Sequence, residues 1–252
     1  MHEFLALNIF GFLLIFARIG VAMSLLPGFS AVYVNIRLRL LFALAISFIL
    51  APVLASRLPG LPATPAGLGL LVLGEIFIGA FLGTVARIIV AALQVAGTVV
   101  SLVSSMANAL IQDPIVNQQT STISGFLSTV GVLLIFVTDM HHMMLRAVFD
   151  SYTLFLPGNA LTIGDMAMLV ARHVSDSFAL GLQLASPLVI TGFTYYMGLG
   201  LLTRLMPQMP VFFVGLPIQI VVQISVLTLT LSGIMLVFLS RFGEGIGAFL
   251  AS

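Results

Sequence analysis

The residues best suited to chemistry in this chain of 252 are few. Asp139, His141 and His142 are the side chains that ligate a metal or relay a proton, and they sit within one helical turn's length of sequence. On a helix, successive side chains point about 100° apart, so adjacent histidines do not readily reach one ion. The zinc pattern His-Glu-x-x-His is absent, and with no Cys there is no thiolate ligand. The spacing therefore predicts interfacial or capping histidines and no metal site. Ser124-Gly125 lacks the Gly-x-Ser-x-Gly nucleophile setting. No Gly-x-x-x-x-Gly-Lys-[Ser/Thr] loop is present to cradle a nucleotide phosphate. No catalytic residue and no cofactor are expected, and the chain reads as a non-enzyme.

A second group is charged and lies inside apolar runs: Arg18, Glu75, Arg87 and Arg204. An unpaired charge in hydrocarbon costs at least ~2.5 kcal/mol, so each needs a partner, water or the interface. Glu75 and Arg87 are too far apart to pair within one straight helix, at roughly 18 Å for ~1.5 Å per residue. They pair across a bend or with another subunit. Arg87 and Arg204 can also snorkel to an interface, which is harder for Glu75 between Val72, Leu73, Ile76 and Phe77. Glu75, Arg87 and Arg204 are the expected intersubunit charge contacts, Glu75 first.

The third group is polar and uncharged. Ser104 to Thr122 interleaves Ser, Asn, Gln and Thr with Met106, Leu110, Ile111, Ile115 and Val116, and Asp113-Pro114 signals a turn. Non-helical backbone at membrane depth survives only where protein buries it or where it lines a watery cavity. Such a segment is either an external connection or a constriction element in a pore.

The elements that must carry these residues are apolar helices. Hydrophobic residues make up 60% of the chain and charged ones 7%, against about 25% charged in soluble domains. A net charge of +1 excludes the concentrated basic patch that nucleic acid requires. The start, Met1-His2-Glu3, has no cationic stretch before its apolar run, so a retained first helix is expected from about Phe4 to Leu26 rather than an export signal. Pro27-Gly28 breaks it. A second helix is expected from Leu40 to about Ala55, with Pro52 kinking or ending it.

Thr64 then caps a helix whose first residue is Pro65. The run from 65 to 112 carries only Glu75 and Arg87 as formal charges. As one helix it would reach roughly 72 Å, while a bilayer core of ~30 Å needs about 20 residues. It must fold back, with a hairpin bend near Arg87, or belong to something taller than a bilayer. Gly79-x-x-x-Gly83 inside it permits close approach of another helix. Further helices are expected from about Ile123 past His142 to near Asp150, from Thr162 to about Leu205 with an interruption at Pro187, and from Val211 to Leu239. Arg241 to Gly247 reads as a frayed tail. Arginines lie near the end of nearly every apolar run, so the positive-inside rule yields no consistent topology. A small-solute or ion transporter, with Glu75 and Asp139 as ion sites, is one function these features allow.

Several local patterns, in order along almost the whole chain, carry a resemblance. They are Arg37-x-Arg39-Leu40-x-Phe42 through Pro52; Glu75-Ile76-Phe77-Ile78-Gly79-Ala80-Phe81-Leu82-Gly83 with Ala96-Gly97 and Asp113-Pro114; His141-His142 ahead of Leu156-Pro157-Gly158; and Leu184-Ala185-Ser186-Pro187-Leu188 with Gly198 to Met209 and Val211 to Pro217. Together they resemble the FliR/SctT family of type III secretion export-gate subunits. The resemblance implies an all-α hydrophobic helical bundle, one membrane-associated domain over 1–252, with a FliP-like part (1–177) followed by a FliQ-like helical hairpin and tail (178–252). It implies a flagellar gate subunit assembled helically with FliP and FliQ. The same resemblance implies contact with FlhB and FlhA and passage of unfolded export substrates. The setting it implies is the bacterial inner membrane and flagellar basal body, partly above the membrane plane. The family's plug loop carries over to Met106 through Ser121, with Met106, Leu110 and Ile111 closing a pore. Asn108, Asn117 and Gln118 would hold the loop around the Asp113-Pro114 turn. This chain departs from the family by having Ser104-Ser105-Met106-Ala107-Asn108-Ala109 where a glycine-bearing Gln-Met-Gly-like stretch is usual.

Overall fold

A computed structural model describes residues 2–105, 110–113, 118–159, 162–208 and 211–250. The protein is all-α apart from one short ribbon. The helices are α1 (His2–Leu25), α2 (Ile36–Leu54), α3 (Pro65–Val103), α4 (Thr122–Val137), α5 (Met140–Leu154), α6 (Ile163–Leu205) and α7 (Val211–Gly247). Strands β1 (Leu110–Asp113) and β2 (Gln118–Ser121) pair antiparallel, from Leu110 opposite Ser121 to Asp113 opposite Gln118.

Helix starts follow local chemistry. Asn35 caps α2 by accepting from the Arg37 amide at 2.9 Å, so α2 begins four residues before the apolar run. Arg39 points back and donates to the carbonyls of Phe29 and Ala31, tying down the turn that follows Pro27-Gly28. Thr64 caps α3 as expected, its hydroxyl accepting from the Gly67 amide at 3.2 Å. The long apolar run is a single helix of 39 residues ending at Val103. It is not interrupted near Arg87. At ~1.5 Å per residue it is about 58 Å long, nearly twice a ~30 Å hydrocarbon core.

Three other boundaries differ from expectation. The helix through Pro187 continues without a break, because the Ser186 hydroxyl donates to the Gln183 carbonyl at 2.7 Å. That carbonyl is the one whose usual amide donor proline removes. The expected helix from 123 to 150 is instead two, α4 and α5, bent by 76° at Thr138-Asp139. The tail is not frayed: α7 runs to Gly247, with Phe242 and Ile246 buried one turn apart. Among the described residues, four helices are long and apolar enough to cross a membrane, or five spans if α4 and α5 form one.

The chain forms two compact units, each drawing on several stretches of sequence. The first comprises residues 1–89, 135–173 and 242–252. Its core is a stripe of α1, with Leu14, Ile15, Ile19, Ala22 and Met23 buried at helical spacing. This stripe lies against the Gly79-x-x-x-Gly83 face of α3. A Cβ on Gly79 would strike the Arg18 carbonyl, and one on Gly83 would come 2.5 Å from Leu25 Cβ. The close-approach glycines therefore serve a helix of the same chain. The second unit comprises residues 90–134 and 174–241. In it α6 and α7 pack as a helical hairpin, with the Tyr195 hydroxyl donating to the Gly215 carbonyl at 2.6 Å and Gln223 Nε2 to the Leu188 carbonyl at 3.2 Å.

Candidate functional site

The polar segment leaves α3 and returns to α4, and both of its ends are pinned within the second unit. A helix end leaves its last four carbonyls without intrahelical donors. Here all four find one. Val100 O accepts from the Ser104 amide and hydroxyl, Ser101 O from the Ser104 hydroxyl, and Leu102 O from the Ser105 amide. Val103 O accepts from Gln219 Nε2 of α7 at 2.7 Å. Ser105 then turns the chain with φ 58, a left-handed conformation that a glycine takes freely and an L-residue at a cost of ~1–2 kcal/mol. Its hydroxyl lies 2.8 Å from that of Tyr196 on α6 and donates to Gln219 Oε1 at 3.3 Å. The carboxamide of Gln219, itself wholly buried, thus holds the helix end and the turn residue at once.

The returning side is fixed to the same helix. Ser121 caps α4, its hydroxyl accepting from the Ser124 amide at 3.1 Å and lying 3.4 Å from the Gly97 carbonyl. The Ser124 hydroxyl donates to the Gln94 carbonyl at 3.1 Å. Gly97 is required here, because a Cβ at that position would collide with the Ser124 backbone. The ribbon β1–β2 therefore springs from one short stretch of α3.

The first unit buries a different polar group. Arg18, with no exposed surface, donates from Nε and Nη2 to both carboxylate oxygens of Glu75 at 2.6 and 3.0 Å. Nη1 donates to the Ser151 hydroxyl at 3.1 Å, and Nη2 also to the Phe155 carbonyl at the end of α5 at 2.9 Å. The guanidinium carbon lies 3.9 Å from the ring centroid of Tyr152. A bidentate, fully hydrogen-bonded pair of this kind joins α1, α3 and α5.

The whole-chain pattern matches a known family. The model of "Bacterial export proteins, family 1" covers residues 9–245. The chain is 35% identical over 231 residues to flagellar biosynthetic protein FliR of Caulobacter vibrioides, covering 92% of each chain. The chain belongs to the FliR family of bacterial export proteins. It is also 29% identical over 236 residues to FliR of Bacillus subtilis, covering 92% of this chain and 90% of that one. With FliR of Pectobacterium carotovorum it shares 31% identity over 234 residues, covering 91% and 85%. As a member of this family it is a membrane-associated component of the flagellar export apparatus.

Against that family frame, the expected site residues fall in several places. Of the plug residues, Leu110, Ile111 and Asp113 lie on β1 and Gln118 on β2, whereas Met106, Asn108, Pro114 and Asn117 lie outside the described residues. Glu75 meets Arg18 of its own chain. Arg87 and Arg204 are exposed and have no ion-pair partner among the described residues. Asp139, His141 and His142 come closer than helix geometry predicted, with the two imidazole centroids 4.0 Å apart. Sequence reasoning missed Tyr196, Ser151 and Tyr152. Gln219 is a polar residue in an apolar helix, and that is the available signal: a buried carboxamide needs partners.

Proposed function

We propose that this chain is a pore-forming, non-enzymatic subunit of the flagellar type III protein export gate. Its loop 106–121 acts as a plug, and unfolded export substrates pass where the plug yields. The observation that carries this reading is the double anchoring of the loop. Between the membrane-length helix α3 and the shorter apolar helix α4 stands a short ribbon whose exit is held by Gln219, Ser105 and Tyr196 and whose return is held by Ser121 and Ser124. A lipid-facing connection has no use for such a network, while a pore closure needs its ends fixed and its middle displaceable. Met106, Leu110 and Ile111 supply the apolar seal in this reading.

The gate assembles helically with FliP and FliQ and works with FlhB and FlhA in the bacterial inner membrane at the flagellar basal body. Part of it stands above the membrane plane, in keeping with helices about twice as long as a bilayer core. The FliP-like part spans 1–177, and the FliQ-like part, 178–252, takes α6 from Phe178 onward together with α7. Exposed Arg87 and Arg204 face neighbouring subunits. The transporter alternative loses ground at Glu75, whose two carboxylate oxygens both accept from Arg18 and are not open to a transported ion.

Deleting Ala107–Gln119 from the assembled gate tests the proposal. Cells carrying the deletion should leak ions, read as a collapse of membrane potential upon induction, and an intact seal would sink the plug assignment. Purification separates the two classes of function. A gate subunit comes out of membranes with FliP- and FliQ-like proteins, a transporter alone or with copies of itself.

A further inference from the structure

Asp139, His141 and His142 belong to the first unit, at the 76° break between α4 and α5. Each offers a ligand atom, and these atoms all lie within 4.8 Å of one another. His142 Nδ1 is already 3.7 Å from Asp139 Oδ1. Bonds of ~2.0–2.1 Å in a tetrahedron set donors roughly 3.3 Å apart, so closing the widest separation needs a shift of about 1.5 Å. The side chains of Asp139 and His142 are 79% and 70% exposed and free to make that shift.

Three further observations point to a ligand here. Asp139 heads α5 in the left-handed conformation, φ 58, yet its carboxylate caps no amide of that helix. An Asp at a helix start ordinarily does so. His141 Nδ1 is buried and has no hydrogen-bond partner among the described residues, a state that costs free energy unless something fills it. The His141 ring is also held in place: it stacks on Phe136 at 4.9 Å and 11° between planes, and Phe136 rests against Phe29 and over Gly28. Gly28 has φ 82, and any Cβ there would overlap the Phe136 ring. One imidazole is thus pre-positioned while the other imidazole and the carboxylate are mobile.

We propose that Asp139, His141 and His142 form a binding site for a divalent transition-metal ion, Zn2+ in the first instance. Two imidazoles and a carboxylate are a borderline-hard donor set that suits Zn2+ over Mg2+ or Ca2+. Three protein ligands leave a coordination position for water, so the site is exchangeable rather than closed. Bound metal clamps the first turn of α5 to Asp139, the residue at its head.

The test uses the full chain, purified in detergent with the proteins that accompany it, and Co2+ alone as the spectroscopic probe. The chain has no Cys, so its own Co2+ absorption must come from nitrogen and oxygen ligands. The expected result is saturable visible absorption displaced by Zn2+, with affinity at least about tenfold weaker in His142→Ala, since even an outer-shell partner commonly contributes that much. His142 is exposed, so the variant keeps its fold, which circular dichroism checks. His141→Gln should weaken binding likewise, whereas His173→Ala should not. Equal binding by wild type and His142→Ala, or no saturable binding by wild type, would overturn the site.

Discussion

Each unit of the molecule holds a polar constellation among apolar helices, wholly buried around Arg18 in the first and partly exposed at Tyr196 in the second, and the two are built from different chemistry. In the first, Arg18 and Glu75 carry full charges, and the guanidinium donates at every nitrogen to Glu75, Ser151 or the Phe155 carbonyl. In the second, Gln219, Ser105 and Tyr196 are neutral and share single bonds around a helix end and a left-handed turn. Removing one member of a buried ion pair strands a charge, at about 3–5 kcal/mol. Removing one neutral hydrogen bond costs about 1 kcal/mol and leaves the rest intact. The first constellation suits a joint that must never open; the second, on the proposed plug reading, suits a root from which a loop is released and recaptured.

Substitutions in the two constellations test that contrast, the largest effect first. Arg18→Met leaves the Glu75 carboxylate buried and alone and should cost about 3–5 kcal/mol, seen as loss of the chain from membranes by immunoblot. Arg18→Met with Glu75→Leu should recover most of the lost protein, because a buried pair replaced as a whole is often neutral. Normal accumulation of the single variant would remove the basis for calling this joint permanent.

Gln219→Leu keeps the volume but leaves Val103 O without its donor, at about 1–3 kcal/mol. Chain levels should hold while membrane potential falls, and the reverse pattern would make Gln219 a structural residue only. Ser105→Ala and Ser105→Gly both lose the hydroxyl, but glycine relieves the left-handed strain, worth ~1–2 kcal/mol. The alanine variant should therefore melt at the lower temperature in detergent. Tyr196→Phe removes one exchangeable bond, about 0.5–1.5 kcal/mol, and should give a small leak visible only when combined with Ser105→Ala.

Much of the fold was legible from local pattern. The Thr64-Pro65 start, the close-approach face of Gly79 and Gly83, and the apolar helices all rest on interactions within a turn or on composition. The errors share one cause. Pro187 was read as a break because the rescuing Ser186 hydroxyl is a neighbour whose rotamer sequence does not state. The segment 241–247 was read as fraying because Gly-Glu-Gly looks weak, although Phe242 and Ile246 bury the turn. The helix through 139 was read as continuous because no proline marks the break, which Asp139 makes with a positive φ.

What sequence alone determined is a membrane-class helical chain with a polar, turn-bearing segment between long apolar helices, since hydropathy, helical period and proline or glycine punctuation act over short distances. Only the tertiary structure decided the partners. Arg18 meets Glu75 57 positions away, and Gln219 reaches Val103 across 116. A buried polar group must be satisfied, but its residue type says only that a partner exists. Which one it is depends on how the helices pack.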